Sequence, residues 1–240
     1  MASGVLVDRT PMSDISVKRL EKGAWTHELI DGLARLVAPS YAPGCAVLAD
    51  EILRCDLLYL ATDAEGPRAF LLVARVRLPV GPERREARYL GLSGAADERS
   101  GAAVLARFTA DAQNEEEARG SRLLLFTTTA TPFGVRNAHA FWSDVQPAPN
   151  GSFREELLPQ ADAARAWLGA SGCAERPFVL SRLARGVRHS AAERRRILDE
   201  SRGETGELLR RLEIEESRGD RLLLLCSLPS SGCHTSAQAA

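Results

Sequence analysis

The pattern of apolar and polar residues along the first third of the chain predicts a strand, two helices and a hairpin, in that order. The stretch 14–25 alternates and predicts a strand, and the helical spacing after Thr26 predicts a helix that Thr26 caps. A second helix is predicted over 46–53, and two apolar runs around an acidic turn predict a β-hairpin over 57–78. The apolar positions of the second helix are Ala46, Leu48, Ile52 and Leu53.

The middle of the chain predicts a strand–helix–strand unit. Residues 79–86, PVGPERRE, carry the Pro, Gly and charged composition of a loop, and 87–94, ARYLGLSG, form a third good strand. Helical spacing follows over 103–118, and 122–129 read as a buried strand. A crossover of this kind implies that the two strands are parallel, whereas the hairpin before them is antiparallel.

The last part of the chain mixes both element types. Helices are predicted over 135–145 and 154–168, a strand over 177–186, a long Arg- and Glu-rich helix over 189–209, and a closing hairpin over 212–228. The whole order predicts an α+β fold with a mixed, mostly antiparallel sheet flanked by helices.

Domain organisation is predicted to be simple. No internal repeat and no Pro/Gly/Ser linker divides 1–228, so one domain is expected, with helical decoration at about 187–210. The segment 229–240 is small and polar, which is typical of a disordered tail.

Composition narrows the partners and the chemistry. The 240 residues carry 31 Lys plus Arg against 32 Asp plus Glu, a formal net charge of −1, so no global basic field favours nucleic acid or membrane lipid. Only Lys18 and Lys22 are lysines, which argues against lysine nucleophiles. The cysteines form no CxxC pair, so no metal site is predicted. Without a signal or membrane span, the sequence indicates a cytoplasmic protein of a GC-rich bacterium.

The connection between the strand 87–94 and the next helix is the most informative segment for function. Gly101, Ala102 and Ala103 have little or no side chain where a helix is about to begin. Backbone N–H groups and the positive end of the helix dipole can cradle a phosphate at such a place. An ordinary strand-to-helix turn, in which small residues only allow tight packing, is the alternative.

This segment and the element order resemble the GNAT acyltransferase superfamily. The family's phosphate loop reads Gln or Arg, two residues, Gly, one residue, then Gly or Ala, and Gly101 and Ala103 match it. Glu98 departs from the pattern, since the family has Gln or Arg there. The resemblance covers roughly 14–228 and implies a central pair of parallel strands that splay apart to admit acyl-CoA.

The resemblance also implies which residues contact acetyl-CoA or another acyl-CoA. The backbone of the fourth strand would pair with the pantetheine arm, and the loop would hold the pyrophosphate. The threonines at 127–129 would lie where the two strands separate. Alternatively, they are only the β-branched end of an ordinary strand. The expected cofactor contacts are Leu90, Leu92, Ser93, Arg99, Ser100, Gly101, Ala102, Ala103, Thr127 and Asn137.

Three residues are candidates for proton transfer. Many family members carry a tyrosine on the helix after the fifth strand, and this chain has none there; His139 on the same segment has a suitable side chain. Glu86 and Tyr89, before and within the fourth strand, are candidates for the base that deprotonates an amine. Surface or packing roles remain the alternative for each.

The sequence therefore predicts an N-acyltransferase, most simply an acetyltransferase, that moves the acyl group of acyl-CoA to an amine of a small molecule or peptide by direct attack in a ternary complex. Two alternatives stay open. One is a catalytically inactive binding or regulatory protein of the same fold. The other is a biosynthetic tailoring enzyme that uses a carrier-bound acyl chain, with Arg194, Arg195 and Arg196 as a dock for the carrier. The acceptor, the acyl chain length and the oligomeric state, a homodimer among them, are left undecided.

Overall fold

The computed structural model describes residues 15–42, 46–173, 175–184 and 186–228. The predicted tail at 229–240 lies outside the described residues. In chain order the elements are β1 (Ser16–Glu21), α1 (His27–Val37), α2 (Val47–Arg54), β2 (Leu57–Asp63), β3 (Gly66–Val80), β4 (Glu83–Ala95), α3 (Glu98–Arg119), β5 (Leu124–Thr129), α4 (Pro132–Phe141), β6 (Ser143–Gln146), α5 (Leu158–Trp167), β7 (Ser171–Cys173), β8 (Arg176–Ser181), α6 (Ala191–Glu200), α7 (Glu204–Arg211) and β9 (Arg221–Ser227).

One sheet joins the strands in the order β1-β2-β3-β4-β5-β9-β8-β7. Strand β6 pairs with the second half of β9, beyond the residues that pair with β8. The pairing of β4 with β5 is parallel, and every other strand pairing within the described ranges is antiparallel. The predicted mixed, mostly antiparallel sheet with a central parallel pair is therefore confirmed.

The two central strands separate part of the way along their length. Gly91 and Leu92 of β4 together oppose the single residue Leu72 of β3, which makes a β-bulge. The parallel ladder ends there, at Leu90 and Thr127. Beyond this point, among the described residues, β4 pairs with β3 and β5 pairs with β9, but the two strands no longer pair with each other. A gap therefore opens in the middle of the sheet.

Helices cover both faces of the sheet. Tyr89 and Phe126 project from one face onto Trp167 of α5, with ring centroids 5.2 and 5.5 Å from that indole. The strand register places Tyr59 on the opposite face, where its ring meets Phe108 of α3 at 5.5 Å. Helix α5 therefore covers one face of the sheet and helix α3 covers the other.

The predicted loop at 79–86 is wrong. Strand β3 continues to Val80 and β4 begins at Glu83, so the two form one long hairpin with a tight turn. Glu86, one of the charged residues that suggested a loop, pairs across the strands instead, since Arg77 Nε lies 2.6 Å from Glu86 Oε1. Cross-strand ion pairs of this kind stabilise an exposed hairpin without an apolar pattern.

The end of the chain also differs from the prediction. The single helix expected over 189–209 is divided into α6 and α7 by a turn that ends at Gly203. No hairpin forms over 212–228, because β9 is the only strand of that segment and pairs with β5, β6 and β8. These pairings join distant parts of the chain, so local periodicity could not indicate them.

The longest helix, α3, has 22 residues and begins at Glu98, five residues before the predicted start. It is rich in charged residues along its length. Across the part of the chain that the structure describes, no helix is both long enough and apolar enough to cross a membrane.

Candidate functional site

A cavity of about 270 Å³ lies where β4 and β5 separate. Its walls are β4 from Tyr89 to Ser93, β5 from Thr127 to Thr129, the inner face of α2 and the start of α4. The loop between β8 and α6 and the first residue of β9 close the remaining side. The cavity therefore combines strand backbone with side chains from both ends of the chain.

Glu51 of α2 is a buried carboxylate in this wall, 8% exposed. Its Oε1 atom accepts hydrogen bonds from Arg54 Nη1 at 2.8 Å and from the Tyr89 hydroxyl at 3.2 Å. The backbone N–H of Leu92 also donates to the carboxylate, and Cys55 Sγ lies 3.9 Å from Oε2. Four donors, from α2, from the residue that follows it and from β4, thus surround one acid.

Burial dominates the protonation behaviour of this cluster. It raises the pKa of Glu51 above the ordinary value of a carboxyl group, and the positive charge of Arg54 opposes that shift only in part. Burial raises the pKa of the Tyr89 phenol and of the Cys55 thiol as well. At neutral pH the phenol and the thiol therefore stay protonated, while Glu51 is a stronger base than an exposed glutamate.

Gly91, one of the two bulge residues, makes room for this carboxylate. A Cβ atom at position 91 would lie 2.3 Å from Glu51 Oε2 and 3.1 Å from Cys55 Sγ. Both distances are shorter than van der Waals contact, so any larger residue would displace the acid. The bulge and the buried glutamate therefore depend on each other.

Glu51 was not identified from the sequence because the wrong residues were assigned to the buried face of α2. Leu53, one of the predicted apolar positions, is exposed, whereas Glu51 is buried beside Leu48 and Cys55. These three residues follow the i, i+3, i+7 spacing of one helix face. A glutamate on an otherwise apolar stripe was the signal that could have identified it.

A second polar group lies on the other side of the cavity. Tyr41 stacks on His189 with ring centroids 5.1 Å apart, and His189 Nδ1 lies 2.8 Å from Glu216 Oε1. Arg221, the first residue of β9, is 8% exposed and donates from Nη1 to the backbone oxygen of Asp220 at 2.8 Å. Among the residues described, no three His, Cys, Asp or Glu side chains cluster as a metal site would require.

The three predicted proton-transfer residues lie in different places. Tyr89 lines the cavity and contacts Glu51. Glu86 lies before the cavity on β4, where Arg77 and Arg119 pair with it. His139 lies on α4 outside the cavity lining, and its Nε2 atom has no hydrogen-bond partner within the described structure. Burial lowers the pKa of His139.

Half of the predicted cofactor contacts line the cavity. The hydroxyl of Thr127 donates to the backbone oxygen of Leu90 at 2.6 Å and so marks the last point of contact between the separating strands. Strand-edge backbone and small polar side chains suit a narrow, amide-bearing ligand. The predicted contacts found in the lining are Leu90, Leu92, Ser93, Thr127 and Asn137.

The other half, Arg99 to Ala103, forms the first turn of α3 outside that lining. Asp97 caps this helix: its Oδ1 atom accepts the Ser100 N–H at 2.8 Å and the Ser100 hydroxyl at 2.9 Å. Arg68 pairs with the same carboxylate at 3.1 Å. The hydrogen bond from the Ser100 N–H is the main reason why the pKa of Asp97 is lowered. A carboxylate thus occupies the helix end at which a phosphate was expected.

Acyl-CoA consequently fits the site in part. A pantetheine thioester matches the slot between the strands, which offers backbone groups along Leu90 to Ser93. A pyrophosphate at the predicted place would meet the negative charge of Asp97 at the start of α3.

Comparison with protein-family models gives no match, and comparison with curated protein sequences gives none either. Solved structures with similar folds include a candidate N-acyltransferase of unknown function from Enterococcus faecalis V583, at 14% identity and a TM-score of 0.38 over 52% of this chain and 32% of that one. This chain thus spans about a third of the Enterococcus protein. A candidate GNAT-family acetyltransferase from Desulfovibrio desulfuricans aligns over 90% of this chain and 100% of its own, at 13% identity and a TM-score of 0.40. The case for a function therefore depends on the geometry of the cavity.

Proposed function

We propose that this protein is an N-acyltransferase that moves an acyl group from a pantetheine thioester, acetyl-CoA in the simplest case, to an amine. The observation that carries the proposal is the separation of β4 from β5 beyond Leu90 and Thr127, with a buried, partly activated carboxylate in the wall of the resulting cavity. This arrangement agrees with the GNAT resemblance of the sequence.

The slot suits the amide-bearing arm of a pantetheine thioester. On the side that faces the gap, β4 has no neighbouring strand among the described residues, so its backbone between Leu90 and Ser93 offers hydrogen bonds to an extended ligand. An extended ligand that adds itself to a strand edge gains affinity mainly through such main-chain bonds. The thioester, when bound, supplies the activated acyl group.

Glu51 is the base in this proposal. An ammonium group must lose a proton before its nitrogen can attack, and a carboxylate whose pKa is raised by burial accepts that proton more readily than an exposed one. The hydrogen bonds from Arg54 and Leu92 hold the carboxylate in place from the side of the protein. Positioning of the two reactants accounts for the rest of the rate increase.

Tyr89 completes the path of the proton. Starting from an ammonium group, the reaction forms a C–N bond, breaks the C–S bond and removes two protons from the nitrogen. The thiolate takes up one of them, and Glu51 passes the other to solvent. The Tyr89 hydroxyl bonds to Glu51 and remains protonated, so it can donate its own proton to sulfur and recover one from Glu51. In this proposal Glu51 is the base, a role for which Glu86 and Tyr89 were candidates, and Tyr89 is the acid, a role for which His139 was the candidate.

The position of Asp97 favours a second candidate function, transfer from a carrier-bound acyl chain. The prosthetic arm of a carrier protein bears the same thioester but no adenosine pyrophosphate, so it avoids the charge of Asp97 at the start of α3. The active cavity is the same in both versions. Only the source of the thioester differs.

Calorimetric titration with acetyl-CoA and with S-acetylpantetheine, followed by measurement of thiol release in the presence of mixed amines, tests the proposal. Binding to the native state also raises the apparent stability, by about 2.7 kcal/mol at a hundredfold excess over Kd. Tighter binding of acetyl-CoA supports the CoA version, and equal binding supports the carrier version. If folded protein binds neither compound, the proposal is wrong and a role without acyl transfer replaces it.

A further inference from the structure

We infer that the acceptor of the proposed reaction is an amino acid or another amine that carries a carboxylate group, and that Arg221 binds this carboxylate in the cavity wall. The inference rests on the proposed function for the role of the amine. The anion site itself rests only on the surroundings of Arg221.

Arg221 is placed on the same side of the sheet as Glu51 and Tyr89. It stands two residues before Leu223, which pairs with Thr128 of β5. Side chains two apart on a strand share a face, so Arg221 projects from the face of Thr128, which is also the face of Tyr89 and α5. Arg221 and Tyr89 both line the cavity.

The guanidinium is buried and makes no direct ion pair with a described carboxylate. Arg221 is 8% exposed, and its burial lowers the pKa of the guanidinium although the charges of Glu216 and Asp220 act against that shift. The nearby acids are already engaged: Glu216 lies 2.8 Å from His189 Nδ1, and Asp220 Oδ2 lies 3.1 Å from Arg218 Nη2. A guanidinium has five N–H donors; one of those of Arg221 donates to the backbone oxygen of Asp220, and Arg221 lines the cavity.

Arg88 is a second buried arginine and serves as a comparison for Arg221. It is 2% exposed, and Glu115 of α3 forms a direct ion pair with it. An unpaired buried charge is expensive because the desolvation is not offset. The different treatment of Arg221 indicates that its partner is supplied by a ligand, and a carboxylate matches the planar fork of a guanidinium in two parallel hydrogen bonds.

The position of Arg221 assigns this anion to the acceptor and not to the acyl donor. Helix α3, where the phosphates of CoA were expected, covers the opposite face of the sheet. Tyr41 and Tyr89 line the same cavity as Arg221 and Glu51. In this inference the acceptor places a carboxylate at Arg221 and an amine toward Glu51, and an amino acid has both groups.

Binding measured without any thioester tests the inference. Each neutral or basic proteinogenic amino acid is titrated by calorimetry against its own methyl ester, which keeps the amine and the side chain but removes the charge. We expect at least one amino acid to bind about tenfold or more tightly than its ester, as one charge-assisted contact predicts. Arg221→Leu should abolish that preference, and Arg221→Lys should retain part of it because a single donor replaces the fork. Arg210→Met, a change at an exposed arginine of α7, is the matched control.

The outcomes separate this inference from the proposed function. If no amino acid binds, if acid and ester bind equally, or if folded Arg221→Leu keeps the preference, the carboxylate site is wrong. If Arg221→Leu loses S-acetylpantetheine binding but not amino-acid binding, Arg221 belongs to the donor side and the inference also fails. If the wild-type protein prefers the acids but binds no thioester, the carboxylate site stands and the proposed acyl transfer falls.

Discussion

The hydroxyl of Tyr89 donates a hydrogen bond of 3.2 Å to Glu51 Oε1, joining α2 and β4 across 38 positions of the chain. Both residues are buried, and both line the cavity between the separating strands. Burial raises the pKa of each group, which favours the proton on the phenol and strengthens the carboxylate as a base. The first four predictions below depend on this pair.

Replacement of Glu51 by glutamine should remove the base while keeping the size of the side chain. We expect the rate of acyl transfer to fall by a factor of about 10² to 10⁴, because general base catalysis typically contributes that much. Thiol release measures the rate, and calorimetry with S-acetylpantetheine should show unchanged binding. Glu86→Gln is the control, since Glu86 pairs with Arg77 and Arg119 outside the cavity, and it should keep its rate. A wild-type rate in Glu51→Gln would assign deprotonation to another group.

The pH dependence follows from the raised pKa of Glu51. The carboxylate must be ionised to accept a proton, so kcat/KM should be low in acid and rise as pH increases through that pKa. Because burial raises the pKa, the acidic limb should lie at higher pH than for an ordinary glutamate. A pH series on the wild-type protein and on Glu51→Gln tests this, and a limb that persists in the variant would belong to a different acid.

Tyr89→Phe should separate the hydroxyl from the packing of the ring. The phenyl group keeps its contacts with Phe126 and Trp167, so unfolding in urea should show a loss of about 1 kcal/mol, typical of one hydrogen bond. The hydrogen bond from Tyr89 lowers the pKa of Glu51, so its loss should move the acidic limb of the rate profile to still higher pH. Transfer should also slow, since the proton path to sulfur is broken. An unmoved limb would show that the bond does not influence the base.

Gly91→Ala tests the mutual dependence of the bulge and the carboxylate. The added Cβ would lie 2.3 Å from Glu51 Oε2, so Glu51 must move away from its donors and activity should be lost. Gly23→Ala is the matched control, because a Cβ there meets nothing within 4 Å. Thermal unfolding and thiol release should both be measured. Full activity in Gly91→Ala would mean that the position of the carboxylate is not critical.

Asp97→Ser distinguishes the two sources of thioester. Serine retains a cap for α3 but removes the negative charge from the start of the helix. We expect acetyl-CoA to bind about fivefold more tightly, roughly the 1 kcal/mol of a charge at a helix end, while S-acetylpantetheine binding stays constant. Asp162→Ser, at an exposed position of α5, should change neither affinity. Unchanged acetyl-CoA binding in Asp97→Ser would place the pyrophosphate away from this helix.

Local physics in the sequence predicted the type and order of the first nine elements and the parallel strand pair, but not all of their bounds: the helix predicted over 135–145 ends at Phe141, and β6 follows it. Thr26 indicated the start of α1 as an N-cap, and its side chain does accept the Leu29 N–H at 3.2 Å. The crossover between β4 and β5 could also be predicted from the sequence. Its strands and its helix are each continuous in the chain, and a strand–helix–strand connection of that length implies parallel pairing. Tyr89 was named as a candidate because the family resemblance places the base on the fourth or fifth strand.

Tertiary structure decided the site. Glu51 becomes a buried carboxylate with donors around it only because β4 bulges at Gly91 and brings Tyr89 and Leu92 against α2. Arg221 reaches the same cavity only because β9 pairs with β5, from which it is separated by more than ninety positions. A one-dimensional pattern records which face of an element is apolar but not which distant element that face will meet. Burial, unpaired charge and shifted pKa values arise from that meeting, so they could be found only in the folded chain.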